Sequence, residues 1–405
     1  MEKFGLIGKT LKHSYSKIIH QKLGDYSYEL YELESEEIKD FIATDVTGFN
    51  VTIPYKKEIM PYLDSIDEKA TSIGAVNTVI KRGGGLIGYN TDFDGMCYML
   101  SRAKINVKDK NVLILGTGGT ANTATAVCKH NGAKKIVTVS RQGKVNYGNY
   151  FEQKDAQIII NTTPVGMYPL VGESPIDLKV FLDLEGVVDA IYNPAMTKLL
   201  FDAKDLGVKF TNGLPMLVAQ AKYATEIFLN QKNDDSVIEK VIKEIESETL
   251  NVVLIGMAGA GKSTIGREIA KRLDREFIDT DEQIIIRDGR DIPTIFAESG
   301  EEYFREIERT VISEIGKLKG LVIATGGGIV KDFANYRPLK QNGIIFNLQR
   351  DLKNLATGGR PLYKDADAVE KLYKERKPLY VKFADYTVSN DKGIEQTVEG
   401  VMEKL

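Results

Sequence analysis

The stretch Asn251–Thr264, NVVLIGMAGAGKST, leaves few folds open to the chain around it. Val252, Val253, Leu254 and Ile255 form an apolar run of the kind that becomes a parallel strand buried on both faces. Gly256, four further residues, Gly261, Lys262 and Ser263 then give the spacing G-x-x-x-x-G-K-[ST], which between a strand and a helix wraps a phosphate. Glycines let successive backbone N–H groups point at an anion without a clash at Cβ, and the following helix adds its positive N-terminal end. Gly256, Gly259, Ala260, Gly261, Lys262, Ser263 and Thr264 are therefore candidate nucleotide-binding residues. Lys262 is expected at the β- and γ-phosphates and the Ser263 hydroxyl on Mg²⁺. A nucleoside triphosphate is the expected ligand of this C-terminal part.

At 405 residues the chain is long enough for about two to three domains. Its 42% hydrophobic and 27% charged content is that of an ordinary globular protein. A net charge of −3 argues against a nucleic-acid partner held by bulk electrostatics. No apolar run of about 18 residues appears, so no membrane span is expected. The opening residues MEKFGLIGK lack the layout of a secretory leader. Cys97 and Cys128 cannot build a disulfide framework, and the expected location is a reducing cytoplasm. His13, His20, His130 and the two thiols show no metal-ligand spacing. Nothing here fixes the oligomeric state.

Short apolar runs near the N-terminus repeatedly end in small polar residues. Phe4–Ile7 leads to Gly8 and then to His13-Ser14-Tyr15-Ser16; Gly48–Pro54 (GFNVTIP) leads to Lys56 and Lys57. GAVNT (74–78) and GYNTD (88–92) follow. Strand ends of α/β sheets are where ligands sit, although a lone Ser, Asn or Thr there is more often a cap or turn former. Taken in order, HSYS, NVTIPYK, GAVNT and NTD resemble the shikimate dehydrogenase family over about residues 4–230. That resemblance implies Ser14 and Ser16 on the substrate carboxylate, Thr52, Asn77 and Asp92 on ring hydroxyls, and Lys56 with Asp92 as the catalytic pair. Ketone reduction needs a hydride and a proton for the developing alkoxide, and a positioned ammonium supplies both proton and charge. Lys17 stands where the family usually has proline, a change at the loop edge only.

A second apolar strand, Asn111–Leu115, opens a dinucleotide-type turn: Gly116, Gly118, Gly119 and Ala121, with a helix expected from Thr120. The acid expected about 20 residues later for an adenosine ribose is missing. Val139 is followed instead by Ser140 and Arg141, with Lys144 beyond. Cations there suit a 2′-phosphate and favour NADP(H), although Arg141 also reads as an ordinary exposed arginine. The resemblance further implies Tyr192 on the substrate, Ile191 and Gly213 at the nicotinamide, and Gln220 reaching the substrate from a helix that crosses back to the first lobe.

Asn230–Thr249 is polar, but Val237, Ile238, Val241, Ile242 and Ile245 recur at helical spacing, giving an amphipathic helix rather than a loose tether. Beyond the P-loop come FIDTD (277–281), read as a strand that ends in two aspartates, then GEEYFR (300–305), the glycines 326–328, GRPL (359–362) and Arg376 two residues before Pro378. This ordered set resembles shikimate kinase over 251–390. It implies Asp279 supporting Mg²⁺, Asp281 accepting the proton of the attacking hydroxyl, Arg305 and Arg376 clamping a carboxylate, Gly327 and Gly328 approaching the substrate, and Arg360 on a lid. Planar guanidinium groups fit a carboxylate two bonds at a time. The lid segment before Arg360 looks short.

The expected architecture is α/β throughout: a two-lobed dehydrogenase, with an α/β substrate lobe (1–93, completed by a helix at about 214–230) and a Rossmann-like NADP lobe (94–213). A helical linker (231–250) then leads to a P-loop α/β/α kinase domain (251–405). The expected function is bifunctional: reduction of 3-dehydroshikimate with NADPH, then phosphorylation of shikimate from ATP with Mg²⁺, using small-molecule partners only. Two alternatives stand beside it, a dehydrogenase preferring quinate with NAD and an inactive metabolite-sensing regulator.

Overall fold

The computed structural model describes residues 2–11, 14–355 and 366–405. They form two compact units, Met1–Ile245 and Glu246–Leu405. Among the described residues no helix is long and apolar enough to cross a membrane.

The first unit holds two sheets. Strands β1 (Lys3–Gly8), β2 (Ser27–Glu32), β3 (Gly48–Val51), β4 (Ser65–Ile66), β5 (Thr78–Arg82) and β6 (Gly85–Tyr89) lie in the order β2-β1-β3-β5-β6-β4. The sheet is mixed: β1 is parallel to β2 and β3, while β5 is antiparallel to β3 and β6. Every residue of β3 is buried, as a central strand covered on both faces requires. Phe49 and Val51 pack with Ile38 and Phe41, and Phe4, Tyr28 and Phe228 form a separate core. Around this sheet run α1 (Ser16–Leu23), α2 (Ile38–Ile42), α3 (Glu68–Ile73) and α4 (Thr91–Arg102).

The second sheet is wholly parallel, with β7 (Asn111–Leu115), β8 (Lys135–Val139), β9 (Ile158–Asn161), β10 (Gly186–Asp189) and β11 (Lys209–Thr211) in the order β11-β10-β9-β7-β8. The apolar runs read in the sequence become its buried strands, with α5 (Gly119–His130) packed on one face and α6 (Lys198–Asp205) on the other. Helix α7 (Leu214–Leu229) returns to the first sheet, where Phe228 stacks on Phe4 with ring centroids 4.6 Å apart. Helix α8 (Ser236–Thr249) buries Ile238, Val241, Ile242 and Ile245 against Ile19 of α1 and Val218 of α7. Most of the segment read as a connector is thus core of the first unit. Lys222 of α7, 2% exposed, anchors its approach by bonding Glu226 at 2.8 Å and Asp235 at 2.7 Å.

The second unit has one parallel sheet in the order β13-β14-β12-β15-β16, from β12 (Asn251–Ile255), β13 (Phe277–Asp279), β14 (Val322–Ala324), β15 (Gly343–Gln349) and β16 (Tyr386–Ser389). The phosphate-loop strand β12 is central and buried throughout. Its helices are α9 (Lys262–Leu273), α10 (Thr280–Asp288), α11 (Ile292–Ile315), α12 (Tyr336–Lys340), α13 (Ala366–Phe383) and α14 (Ile394–Met402). Helix α11 is broken at Gly300, whose φ of 83° and ψ of 173° are non-helical.

Candidate active sites

In the first unit, residues from four separate motifs converge at one end of the mixed sheet. The backbone N–H of Val76 bonds the carbonyl of Lys56 at 2.8 Å and pins the loop after β3. From that loop the Lys56 ammonium bonds Asp92 Oδ2 at 2.5 Å. Asp92 is the second residue of α4 and is 8% exposed, where the helix N-terminus favours its negative charge. Next to it, Asn77 accepts from the Thr91 N–H at 2.7 Å and lies 3.5 Å from Gln220 Oε1 on α7. Thr52 lies at the end of β3, its N–H on the Ile7 carbonyl. Ser16 begins α1, and its N–H bonds Ser14 Oγ at 3.2 Å. Tyr192 packs against Tyr15 with ring centroids 5.3 Å apart, and burial holds its phenol above the usual range. His13 lies outside the described residues.

The carboxyl ends of β7 to β10 form the dinucleotide end of the parallel sheet. Gly116 turns the chain after β7, and Gly118 caps α5, which opens with Gly119, Thr120 and Ala121. A Cβ on Gly119 would lie 4.0 Å from Lys56 Cδ, so the helix N-terminus meets the Lys56–Asp92 pair. Ser140, Arg141 and Lys144 follow β8, both cations exposed, and no carboxylate occupies Ser140 to Lys144. Such a loop suits a phosphate better than a free ribose. Ile191 is buried beside Gly213, which begins α7. A Cβ at Gly213 would sit 2.0 Å from the Ala190 carbonyl oxygen, a contact that only glycine allows.

In the second unit the loop after β12 has Gly256, Gly259 and Gly261 at φ of 141°, 80° and 92°, a left-handed run favoured by glycine. Ala260 and Lys262 are buried, and the Lys262 ammonium bonds the Gly256 and Met257 carbonyls at 2.9 Å each. Ser263 Oγ bonds Asp279 Oδ2 at 2.6 Å, and Thr264 follows on α9. The sequence suggested a strand running through both aspartates. Instead β13 stops at Asp279, which caps α10 by accepting from the Asp281 N–H at 3.0 Å. That turn aims Asp281 at the glycines: its Oδ1 would lie 2.6 Å from a Cβ on Gly326. Burial first, then the neighbouring Asp279 charge, pushes the Asp281 carboxyl up to about 6, with Lys262 and Arg305 opposing.

Arg305 stands on α11 after the Gly300 break, bonding Glu308 at 2.7 Å and Glu301 at 3.1 Å. Its guanidinium would lie 2.6 Å from a Cβ on Gly328. Arg376, 4% exposed, bonds the Gly327 carbonyl at 3.0 Å, while its Nε is buried with no partner among the described residues. The structure therefore gathers Asp281, Arg305 and Arg376 around the 326–328 glycines, and Gly327 lies against Ala258 of the phosphate loop. Arg360 lies outside the described residues. Ser263 and Asp279 form an oxygen pair suited to a Mg²⁺ held otherwise by phosphate and water.

Sequence reasoning missed several supporting groups. Glu308, 1% exposed, backs Arg305; its place three residues on, on one helix face, was a readable signal. Tyr380 donates to the same Gly327 carbonyl as Arg376. Asp189, fully buried and pushed up to about 6 by that burial, holds Thr197, the Ile191 N–H and Asn161 beside the dinucleotide end.

Comparison with known proteins assigns families to the same two parts of the chain. Residues 6–79 match the family described as "Shikimate dehydrogenase substrate binding domain", and residues 258–405 match "Shikimate kinase". A shikimate dehydrogenase (NADP(+)) of Clostridium perfringens is 39% identical over 268 residues, 61% of this chain and 99% of the relative. The crystal structure of a chorismate mutase/shikimate 5-dehydrogenase fusion protein from Clostridium acetobutylicum superposes with a TM-score of 0.58 at 38% identity, covering 60% of this chain and 97% of that one. That of shikimate 5-dehydrogenase from Thermus thermophilus, in complex with NADP(H) and shikimate, gives 0.55 at 27%, covering 60% and 99%.

Proposed function

The chain belongs to the shikimate dehydrogenase family and carries a shikimate kinase domain, and from this premise we propose that it reduces 3-dehydroshikimate to shikimate with NADPH and phosphorylates shikimate from ATP. One observation carries the reading: two clusters of side chains, one beside a dinucleotide turn and one beside a phosphate loop, each combine groups suited to a small hydroxylated carboxylic acid.

In the first cluster Ser14, Ser16 and Tyr192 hold the carboxylate end, and Thr52, Asn77 and Gln220 hold ring hydroxyls. NADPH supplies the hydride. Lys56 donates the proton to the oxygen that becomes hydroxyl, and its bond to Asp92 keeps the ammonium aimed; such a group is typically worth ~10²–10⁴ in rate. Gly116, Gly118, Gly119, Thr120 and Ala121 take the pyrophosphate at the start of α5, Ser140, Arg141 and Lys144 the 2′-phosphate, and Ile191 with Gly213 the nicotinamide. The missing carboxylate after β8 supports NADP over NAD, and against the quinate alternative.

In the second cluster Arg305 and Arg376 hold the substrate carboxylate and the 326–328 glycines admit the ring. Asp281, raised towards neutrality, accepts the proton of the attacking hydroxyl. Lys262 and the loop N–H groups compensate the charge of the transferring phosphoryl, which needs in-line positioning more than covalent help. ATP supplies that phosphoryl, and Ser263 with Asp279 would hold its Mg²⁺. The Lys56–Asp92 pair, together with Lys262 bonded in the phosphate loop and Asp281 facing the 326–328 glycines, counts against an inactive sensor. The purified chain given 3-dehydroshikimate, NADPH and Mg-ATP should form shikimate 3-phosphate; ligand binding with no turnover would restore the sensor.

A further inference from the structure

Three motifs of the first unit contain residues to which the dehydrogenase reading gives no role: Asn50 in NVTIPYK, Thr78 in GAVNT and Thr91 in NTD. All three are buried, and they are joined to one another around Asn77. We propose that Tyr28, Asn50 and Thr78 are positioning residues, a one-way hydrogen-bond relay that fixes the Asn77 amide so that it offers an N–H, not a carbonyl, to a substrate hydroxyl. The proposal rests on the dehydrogenase reading above.

Two backbone groups of fixed polarity set the direction. The Asn77 carbonyl accepts only, and Asn50 Nδ2 donates to it at 3.2 Å. The Asn50 amide oxygen therefore faces the other way, where the Tyr28 hydroxyl donates to it at 2.7 Å. The same Asn50 Nδ2 donates to Thr78 Oγ1 at 3.0 Å, which leaves the threonine proton free to reach Asn77 Oδ1 at 3.0 Å. The second fixed group, the Thr91 N–H, donates to Asn77 Oδ1 at 2.7 Å. Asn77 Nδ2 then donates to Thr91 Oγ1 at 3.0 Å, and reaches Gln220 Oε1 at only 3.5 Å, a long bond that a ligand oxygen can replace. A flipped Asn77 would set two donors face to face at a residue 2% exposed, leaving buried groups unsatisfied. At its far end the relay is held firm, since the Tyr28 ring stacks on His20 with centroids 3.9 Å apart and planes within 10°.

The consequence is chemical. Asn77 offers a donor, whereas an ionised Asp92 only accepts. A hydroxyl that meets both must accept from one and donate to the other, a pattern that a keto or ether group, or a protonated amine, does not reproduce. A site built to bond one hydroxyl rejects an analogue lacking it, because its own polar groups are left unpaired.

The test uses the full chain in the oxidation direction, with NADP⁺ and either shikimate or analogues each lacking one ring hydroxyl. Thr78→Val keeps the shape and removes the link, while Thr78→Ser keeps the link. The expected result is a roughly tenfold rise in KM for shikimate in Thr78→Val, with kcat and the KM for NADP⁺ little changed and recovery in Thr78→Ser. With the analogue lacking the hydroxyl read by Asn77, the Thr78→Val penalty should vanish. An unchanged KM, an equal penalty with every analogue, a matching rise in the KM for NADP⁺, or no recovery in Thr78→Ser would each overturn the relay. Should Thr78→Val fail to fold, Tyr28→Phe, which removes one hydroxyl at the far end, is read in the same way. A wild-type chain that oxidises no shikimate overturns the dehydrogenase reading itself, before any variant is made.

Discussion

Asp281→Asn should silence the kinase and at the same time stabilise the second unit at neutral pH. The carboxyl is pushed from the ordinary 3.8 up to about 6, by burial first and the Asp279 charge second. Between those values the folded chain keeps a proton that the unfolded chain has released, so stability falls as pH rises through this window. Above it, the shift of about two units corresponds to about 3 kcal/mol against the folded state, an upper limit because the side chain is only partly enclosed. Asparagine carries no such charge, and no hydrogen bond to the Asp281 carboxylate is present among the described residues to be lost. The gain of the variant over wild type should therefore grow from almost nothing below pH ~4 to as much as ~3 kcal/mol above pH ~7, roughly 6–12 °C in Tm for a unit of this size. Calorimetry at both pH values measures it, with the transition of the second unit recognised by its shift on adding ATP. Kinase turnover should fall by ~10²–10⁴, and the wild-type kcat/KM should itself decline below pH about 6 as Asp281 takes up its proton. A variant no more stable than wild type at pH 7.5, or a gain that does not depend on pH, would refute the assignment of a buried, charge-crowded base.

Lys56→Ala should cut ketone reduction by ~10²–10⁴ and spare the kinase, and Lys262→Ala should do the reverse; steady-state assays of both activities on each variant check this, and loss of both in a folded variant contradicts separate sites. Arg141→Glu should raise the KM for NADPH at least tenfold while leaving that for NADH nearly unchanged, because the carboxylate repels a 2′-phosphate and can bond a ribose; initial rates with the two coenzymes decide. Gly213→Ala must displace either Ala190 or the start of α7, given the 2.0 Å approach, and should remove the reductase while the kinase persists, as the same two assays would show.

The phosphate loop, the dinucleotide turn and the families of both parts were legible because each depends on a contiguous stretch whose backbone demands are local. A G-x-x-x-x-G-K-[ST] spacing between an apolar strand and a helix carries its phosphate-binding geometry in its own backbone, and Gly256 to Ser263 needed no distant neighbour to be recognised. Buried strands β7 and β12 were equally readable from their unbroken apolar runs. Chain order placed Asp281 in a strand, yet the cap made by Asp279 puts it in a helix, a matter of a few residues that periodicity does not resolve. Arg305 and Arg376 were readable as a pair of cations, but not the Gly327 carbonyl that holds Arg376 across 49 positions of chain.

Left to itself, the amino-acid order determined which chemistries this protein carries: one turn for a dinucleotide, one loop for a triphosphate, and the side chains able to work beside each. Only tertiary structure decided how those side chains are tuned and aimed. Gln220 meets Asn77 across 143 positions of chain, the helix expected as a linker packs into the core of the first unit, and the Asp281 carboxyl is pushed up to about 6 only once packing has taken it partly out of water. Desolvation and hydrogen-bond direction depend on neighbours that folding supplies, whereas the preference of glycine for a left-handed turn is already present in the residue.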